Sequence, residues 1–224
     1  MSIVLLVIRA LHRKQPDKRP PVPDQCRRRG HWLWGLQKFL ENRPCADRSG
    51  GPEGKDQIRD WISQLKPKHN KILDIAVGEG TYLNLFKEQE NLKGCEWYGV
   101  EVWEPWVPKY KLNEIYDHFY LEDVRTFDYS KVGNVDLTFA GDIIEHMKKE
   151  EALDLYKNLL EVSDTLIMSI PIIYMPQGPD EGNPYEVHVK PDWSHQEVLE
   201  SFPEVKDCWA GRKIGVYLLQ KWIL

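Results

Sequence analysis

The stretch KILDIAVGEGTYLNLF, residues Lys71 to Phe86, has the pattern of a buried strand that runs through a glycine turn into a helix. Its first residues form the short apolar run typical of a strand buried on both faces. Gly78 and Gly80 allow the backbone to approach a ligand where a side chain would collide. A helix N-terminus beside such a turn can hold a polar cofactor, but an ordinary tight connection has the same pattern.

Strands and helices alternate along most of the chain. Apolar runs predict seven strands, at residues 71–77, 96–103, 119–124, 135–140, 165–173, 205–210 and 214–223. Helices are predicted around Ile58 to Leu65, at residues 81–90, 107–113 and 148–162, and from Ser194, where Glu197 completes a capping box. This order predicts an α/β fold, a doubly wound, mostly parallel seven-stranded sheet with a C-terminal antiparallel hairpin.

Residues 1–52 differ in composition from residues 53–224. Residues 1–48 carry eleven Lys and Arg against four Asp and Glu, whereas the whole chain has a net charge of -5. We predict a basic, proline-rich N-terminal extension with a short helix at residues 31–42, followed by one main domain over residues 53–224. The extension is either a solvated, loosely ordered arm or a nucleic-acid-binding segment that joins Arg27 to Arg29 with Trp32 and Trp34.

Cysteine spacing and apolar run lengths argue against several classes of protein. The four Cys residues are far apart and form no CxxC pair, which argues against a zinc ribbon or a dense disulfide scaffold and fits a reducing compartment. The apolar run from Ile3 to Ile8 is shorter than the roughly 20 residues that span a bilayer. It also lacks the features of a secretory signal. We therefore expect a cytoplasmic protein without a membrane partner.

Acidic residues follow the predicted strands at the points where ligands bind in such sheets, outside the carboxyl ends. Glu101 lies 23 positions after Gly78, close to the ~20-residue spacing at which an acid accepts ribose hydroxyls. Asp123 follows the third strand. The fourth strand runs into Asp142-Ile143-Ile144-Glu145-His146, which places three titratable side chains in one short stretch.

Together these residues resemble the class I S-adenosylmethionine-dependent methyltransferases, over about Glu53 to Leu224. The DIIEH segment is similar to the D-x-x-E-H of small-molecule methyltransferases of the ubiquinone-biosynthesis type, while Ala76 stands where the family usually has its first glycine. A nicotinamide dehydrogenase is less favoured because the GxGxxG fingerprint is absent. The resemblance implies S-adenosyl-L-methionine as cofactor and a Rossmann-like fold, with cofactor-binding residues Asp74, Ala76, Gly78, Gly80, Glu101, Val102, Asp123, Val124 and Asp142.

The resemblance also implies roles within this set. The backbone from Ala76 to Gly80 would lie by the methionine portion, Glu101 would bind the ribose, and Asp123 with Val124 would bind the adenine. Asp142 would contact the amino-acid end or the substrate.

Methylation of a hydroxyl group needs a base, for which histidine is suited near neutral pH. The catalytic candidates are His146, His188 and Asp142, and His188 lies in a long connection, Tyr174 to Trp193, that is expected to act as an acceptor-binding lid. His146 could instead cap the following helix, and His188 could be an ordinary surface histidine. The spacing does not require a metal, although both histidines with a nearby carboxylate could bind a divalent cation.

The leading hypothesis is methyl transfer to a small polar acceptor, such as a sugar or another hydroxyl compound. Methylation of DNA is less favoured, because Asn183-Pro184-Tyr185 lacks one proline of the (D/N)PPY signature and follows the wrong strand. Two alternatives remain open. One is a non-catalytic protein that binds S-adenosylmethionine or, through its basic arm, nucleic acid, and the other is an enzyme that degrades S-adenosylmethionine without an acceptor. The oligomeric state is unknown from the sequence.

Overall fold

The computed structural model describes residues 54–221. The predicted N-terminal extension and its helix lie outside these residues, so both stay predictions. The described part contains seven strands, whose bounds are β1 Lys71–Ile75, β2 Glu96–Glu101, β3 His118–Leu121, β4 Val135–Gly141, β5 Ser163–Pro171, β6 Val205–Ala210 and β7 Ile214–Leu219. No helix in the described range is long and apolar enough to cross a membrane.

All seven strands form one sheet in the order β3-β2-β1-β4-β5-β7-β6. The pairings from β3 through β5 are parallel, whereas β7 pairs antiparallel with both β5 and β6. The predicted doubly wound sheet with a C-terminal antiparallel hairpin is therefore confirmed. From β1 the chain builds outward through β2 and β3 and then returns to the other side of β1 as β4. This reversal is where open α/β sheets bind their ligands.

The helices are shorter than the sequence pattern predicts at two places. They are α1 Lys55–Ser63, α2 Thr81–Phe86, α3 Trp106–Tyr110, α4 Leu112–Ile115, α5 Lys149–Val162 and α6 His195–Ser201, with 3₁₀ turns at Tyr129–Lys131, Ile144–His146 and Pro184–Glu186. The helix predicted at residues 81–90 ends at Phe86. The one predicted at residues 107–113 is divided because Lys111 adopts a left-handed conformation, with φ of 55°.

The start of α6 shows half of the predicted capping box. The Oγ of Ser194 accepts a hydrogen bond from the backbone N–H of Glu197 at 3.1 Å, as expected for an N-cap. The carboxylate of Glu197 instead contacts the Nζ atoms of Lys149 and Lys190, at 2.8 and 3.1 Å. The second half of the prediction was wrong because two nearby ammonium groups attract this carboxylate away from the helix start.

Hydrophobic side chains cover both faces of the sheet. Within β5, Leu166 and Met168 belong to one buried cluster and Ile167 to the other, as the two-residue period of a strand requires. Helix α5 packs in the first cluster and α1 in the second. Each fully buried aliphatic or aromatic side chain contributes about 1.5–3 kcal/mol through removal from water. The central strands therefore form a well-supported platform for the loops at their carboxyl ends.

Candidate functional site

A cavity lies at the carboxyl ends of β1, β2 and β4. These ends are level with one another, because Ile75 pairs with Val100 in β2 and with Ala140 in β4. The cavity has a volume of about 310 Å³. Its lining comes from the turns after these three strands, from α1, α2 and α3, and from the long connection after β5. The lining residues are Lys55, Ala76, Val77, Gly78, Glu79, Thr81, Tyr82, Glu101, Val102, Trp106, Tyr110, Gly141, Asp142, Ile143, His146, Asp180, Asn183, Tyr185 and Glu186.

The turn after β1 forms one wall of the cavity and depends on left-handed backbone conformations. Ala76, Gly78 and Gly80 have φ values of 50°, 55° and 80°. A Cβ added to Gly80 would lie 2.9 Å from Cδ1 of Ile115, so a side chain there would collide with α4. Around Gly78 the nearest atom to an added Cβ is a Trp106 ring carbon at 3.9 Å. The backbone at Gly78 is thus open for close approach by a ligand.

The carboxylate of Glu101 joins the end of β2 to this turn. Its Oε2 accepts a hydrogen bond from the backbone N–H of Gly78 at 3.0 Å. Its Oε1 accepts from the backbone N–H groups of Val102 and Trp103, each at 2.9 Å. The side chain is buried, and burial raises the pKa of Glu101 above its usual value although the three N–H donors oppose this. A buried acceptor is therefore held rigidly at the cavity wall.

A chain of hydrogen bonds runs from α1 to the turn after β4. The Nζ of Lys55 donates to the Tyr82 hydroxyl at 2.9 Å, and this hydroxyl donates to the Oγ of Ser169 at 2.9 Å. Ser169 in turn donates to Oδ1 of Asp142 at 2.8 Å. Asp142 adopts φ of 50°, and its backbone N–H donates to the Ser169 carbonyl at 2.8 Å. Two opposite charges at the cavity are thus linked through two neutral hydroxyl groups.

Three side chains with metal-binding atoms meet beside Asp142. Glu145, His146 and His188 each offer one ligand atom, and these atoms lie within 4.8 Å of one another. The rings of His146 and His188 are 4.8 Å apart and nearly perpendicular. In the part of the chain that the structure describes, neither carboxylate oxygen of Glu145 has a hydrogen-bond partner from another residue, and Nδ1 of His146 is also without one. The cluster therefore has unused acceptor capacity.

Burial and local charge control the protonation of this cluster. Burial, with the charge of Asp142, raises the pKa of Glu145 well above its usual range. Burial, with the proximity of His188, lowers the pKa of His146 to about 4. The Nδ1 of His188 lies in hydrogen-bond contact with the Met175 carbonyl, which can only accept, so the hydrogen is on Nδ1 and the lone pair on Nε2. Near neutral pH His146 is therefore uncharged and offers a lone pair to a proton or a cation.

No protein family and no curated protein matches this chain in sequence. Solved structures match it in fold. The PH0226 protein from Pyrococcus horikoshii OT3 has a TM-score of 0.57 and 14% identity, covering 76% of this chain and 88% of its own. The N-terminal domain of EvdMO1, crystallised with SAH and D-fucose, has a TM-score of 0.54 and 15% identity, covering 87% of this chain and 97% of its own. Plantazolicin methyltransferase BpumL in complex with SAH has a TM-score of 0.52 and 13% identity, covering 89% of this chain and 91% of its own.

The chain has the methyltransferase fold. Sequence identities of 13–15% to these structures show a shared fold alone. The assignment of the site therefore depends on the residues of this chain. Within this fold, five of the residues predicted for cofactor binding line the cavity, namely Ala76, Gly78, Glu101, Val102 and Asp142. The catalytic candidate His146 lines it as well. The structure thus brings together residues from three separate strand ends.

Five other predicted residues lie outside the cavity lining. Asp74 is buried within β1, where its Oδ2 accepts a hydrogen bond from the Tyr116 hydroxyl at 2.6 Å. Gly80 packs closely against Ile115 of α4. The Asp123 carboxylate is engaged by the Arg125 guanidinium, with Nη2 at 2.6 Å from Oδ2, and the neighbouring Val124 is buried in the core. His188 contacts His146 without lining the cavity itself. The binding roles given to these residues stay predictions.

Several residues that sequence reasoning gave no role are part of this site in the methyltransferase fold. Lys55 and Tyr82 line the cavity, and Glu145 completes the histidine cluster. Glu186, in the connection after β5 that is expected to bind the acceptor, also lines the cavity, where burial and the charge of Glu101 raise its pKa. The glycine turn and the titratable DIIEH segment were visible signals. No local pattern marks Lys55, because it precedes β1 and reaches the site only through the packing of α1.

Proposed function

We propose that this chain binds S-adenosylmethionine in the cavity and transfers its methyl group to a hydroxyl of a small polar acceptor, such as a sugar. The observation that carries the proposal is the buried carboxylate of Glu101, held against Gly78 at the end of β2. This is the position at which an acid accepts the hydroxyls of a ribose in nucleotide-binding α/β sheets. The SAH bound to EvdMO1 and to BpumL supports the choice of cofactor.

The charge of the cavity suits a cation. Glu79, Glu101, Asp142, Asp180 and Glu186 all line it. S-adenosylmethionine supplies a methyl group on a positively charged sulfur, which is already activated for transfer. A cavity lined by one sign of charge attracts a ligand of the opposite sign. The acidic lining therefore favours the charged substrate over its neutral-sulfur product.

The protein would promote methyl transfer mainly by positioning the cofactor and the acceptor. The rigid turn after β1 and the carboxylate of Glu101 would fix the adenosyl group, while the connection after β5 would hold the acceptor hydroxyl in line with the methyl group. Tyr185 lines the cavity and would offer an aromatic face of the kind that packs against a sugar ring, supported by Trp103, whose ring centroid lies 6.4 Å from that of Tyr185. The D-fucose crystallised with EvdMO1 supports a sugar as the acceptor class.

The histidines would remove the proton that the acceptor loses. As the oxygen–methyl bond forms and the sulfur–methyl bond breaks, the hydroxyl proton passes to Nε2 of His188 or to Nδ1 of His146. The lowered pKa of His146 keeps its ring neutral near pH 7, so this ring can accept the proton. The lone pair of His188 is directed by its contact with the Met175 carbonyl. S-adenosylhomocysteine and the methyl ether are the products.

A second mode of acceptor activation is supported by the unpaired carboxylate of Glu145. A divalent cation bound by Glu145, His146 and His188 would satisfy the unused oxygens and lower the pKa of an acceptor hydroxyl bound to it. Imidazole and carboxylate ligands together suit zinc, manganese or iron. Glu145 would have to release its proton when the cation binds.

Product analysis tests the proposed reaction. Purified protein is incubated with methyl-labelled S-adenosylmethionine and a panel of hydroxyl compounds that includes D-fucose and related sugars. We expect S-adenosylhomocysteine to accumulate together with a labelled methyl ether. Consumption of S-adenosylmethionine without S-adenosylhomocysteine would instead show an acceptor-independent degrading enzyme. Binding without any turnover across the panel would favour a non-catalytic binding protein.

A further inference from the structure

Asn183 is a buried polar side chain with an unused hydrogen-bond donor. It is 1% exposed and lines the cavity from the connection after β5. Its Oδ1 accepts a hydrogen bond from the backbone N–H of Tyr185 at 2.9 Å, which identifies the other amide atom as the donor Nδ2. Among the residues that the structure describes, this Nδ2 has no hydrogen-bond acceptor. A buried donor left unpaired costs about 1–3 kcal/mol, so Asn183 indicates that a ligand oxygen binds at this wall of the cavity.

Two carboxyl groups of the same connection have no cationic partner within residues 54–221. Glu186 is half-buried, and its Oε2 accepts a hydrogen bond from the neutral amide of Gln177 at 3.3 Å. Asp180 is exposed and also lines the cavity. Burial, the charge of Glu101 and the charge of Asp180 raise the pKa of Glu186. A ligand cation beside Glu186 and Asp180 would offset this repulsion.

The cations near this connection are engaged by other carboxylates. The Nζ of Lys109 on α3 pairs with Glu181, and the guanidinium of Arg125 pairs with Asp123. Lys55 belongs to the hydrogen-bond chain that ends at Asp142. These contacts leave the charges of Asp180 and Glu186 available to a ligand.

The cofactor would not supply the missing charge. Five carboxyl-bearing side chains and one lysine line the cavity in the described part of the chain. S-adenosylmethionine carries only a single net positive charge, so the cavity would stay negative with this cofactor bound. A second ligand that enters it is therefore favoured if it is also a cation.

The aromatic face beside these groups adds a third feature. Tyr185 lies between Asn183 and Glu186 in sequence, and its ring lines the cavity. Such a ring packs against the C–H face of a sugar and also attracts an ammonium group. A ligand oxygen for Asn183, a cation for Glu186 and a ring for Tyr185 occur together in an amino sugar.

We infer that the methyl acceptor is an amino sugar, whose ammonium group contacts Glu186 and Asp180 and whose ring oxygen or a hydroxyl accepts from Nδ2 of Asn183. The methyl group goes to a hydroxyl, and the ammonium group serves for recognition. This inference rests on the proposed function, since it narrows the acceptor of the same reaction. Glu186, Asp180 and Asn183 are then the residues that determine acceptor specificity.

Matched acceptors test the inference. D-glucosamine and D-galactosamine are compared with D-glucose, D-galactose and the two N-acetylated amino sugars, which keep the ring and lack the charge. We expect kcat/KM at pH 7 to be at least roughly 10-fold higher for the better amino sugar than for its uncharged counterparts, as for a charge-assisted hydrogen bond. Calorimetric titration of the same sugars into the complex with S-adenosylhomocysteine should show the same preference without turnover.

Variants assign the preference to individual side chains. Glu186→Gln should lower kcat/KM for the amino sugar roughly 10-fold and change that for the neutral sugars by less than about threefold. Asp180→Asn should have a smaller effect in the same direction, because Asp180 is exposed. Asn183→Ser keeps an acceptor for the Tyr185 N–H and should weaken both kinds of sugar equally, since both offer the same ring oxygens.

The controls separate a lost contact from damaged structure. Asp192→Asn removes an exposed carboxylate of the same connection, which pairs with Lys190 at 2.9 Å and does not line the cavity, and should leave the preference unchanged. Thermal unfolding and titration of S-adenosylhomocysteine report on the fold and the cofactor site of each variant.

The outcomes distinguish this inference from the proposed function. Equal kcat/KM for charged and uncharged sugars, methylation of neither kind, or an unchanged preference in Glu186→Gln would overturn the inference. A methyl ether formed from D-fucose or another hydroxyl compound would then leave the proposed function intact. Transfer to the nitrogen would overturn the inference together with the proposed hydroxyl chemistry. Wild-type protein that does not bind S-adenosylhomocysteine would overturn both.

Discussion

The carboxylate of Glu101 accepts a hydrogen bond from the backbone N–H of Gly78, with 3.0 Å between Oε2 and the nitrogen. This contact joins the end of β2 to the turn after β1 across 23 residues of sequence. It places a buried acceptor where the backbone is most open to a ligand. The Gly78 N–H stabilises the buried carboxylate of Glu101, and this carboxylate in turn holds the turn after β1 in place.

Replacement of Glu101 by alanine should weaken binding of both adenosyl ligands. The ribose is present in S-adenosylhomocysteine and in 5′-methylthioadenosine, so each should lose roughly 10- to 100-fold in affinity. Calorimetry measures both constants. Glu90→Ala, which removes an exposed carboxylate paired with Lys93, is the matched control. Unchanged affinity in Glu101→Ala would mean that the ribose assignment is wrong.

Replacement of Ala76 by glycine should stabilise the fold. Ala76 has φ of 50°, a left-handed conformation that costs a residue with a Cβ roughly 1–2 kcal/mol. Glycine adopts it freely but loses more chain entropy, so we expect a net gain of roughly 0.5–1 kcal/mol in the free energy of unfolding. Urea denaturation measures this gain. The opposite change, Gly80→Ala, should destabilise because φ is 80° and Ile115 lies too close. A less stable Ala76→Gly variant contradicts this account of the turn.

Asp74 should make stability fall as pH rises. Burial raises the pKa of Asp74 to about 7, with the Tyr116 hydroxyl and Lys55 opposing. Between its usual value near 4 and pH 7, the folded state holds a proton that the unfolded chain releases. The folded state therefore binds more protons in this window, and its stability decreases as pH rises through it.

The variant Asp74→Asn carries no titrating group at this position. We expect the difference in unfolding free energy between wild type and variant to shift in favour of the variant from pH 5 to pH 8. Denaturation series at both pH values measure the shift, and the exposed Asp154→Asn serves as control. A difference independent of pH would show that Asp74 is ionised throughout.

Binding of a divalent cation by the cluster of Glu145, His146 and His188 should depend on Glu145. Its carboxylate must lose a proton on binding, because its pKa is raised well above the usual range, so the affinity for Mn²⁺ or Zn²⁺ should increase with pH. Glu145→Gln should abolish this binding in calorimetry. His69→Gln alters the second cluster, His69 with Asp136 and Asp164, and should leave it unchanged. Equal cation affinity in wild type and Glu145→Gln would exclude this mode of activation.

Replacement of His188 by alanine should lower turnover without changing the affinity for the cofactor. His188 does not line the cavity, so the affinity for S-adenosylhomocysteine should stay the same. If it removes the acceptor proton, the rate of S-adenosylhomocysteine formation with the sugar panel should fall roughly 10²- to 10⁴-fold. His118→Ala, at the start of β3, is the control for loss of a partly exposed histidine. A variant with the wild-type rate would leave His146 as the candidate base.

Strand positions and the glycine turn were predictable because they depend on local pattern. The apolar runs of β1, β4 and β5 are buried on both faces and need no tertiary information to recognise. The Gly78–Glu101 spacing also predicted which strand ends would meet. The division between α3 and α4 was not predictable, since Lys111 has no residue-type signal for its left-handed conformation.

Burial and pairing of charges were the parts that the sequence did not show. The predicted adenine contact of Asp123 stays a prediction, and the sequence did not show that the Arg125 guanidinium pairs with its carboxylate. The DIIEH segment showed Glu145 and His146 but not that His188 packs against them. Lys55 lies 27 positions before Tyr82, and only the packing of α1 brings them together. Such contacts depend on the fold as a whole.

Calorimetric titration of S-adenosylhomocysteine into wild-type protein at pH 7 tests the central claim most directly. The account predicts one binding site per chain with a dissociation constant of roughly 1–100 µM, the range in which enzymes bind such substrates. Competition by 5′-methylthioadenosine for the same site is also expected. The absence of binding heat at ligand concentrations up to about 1 mM would contradict the claim that this cavity holds S-adenosylmethionine.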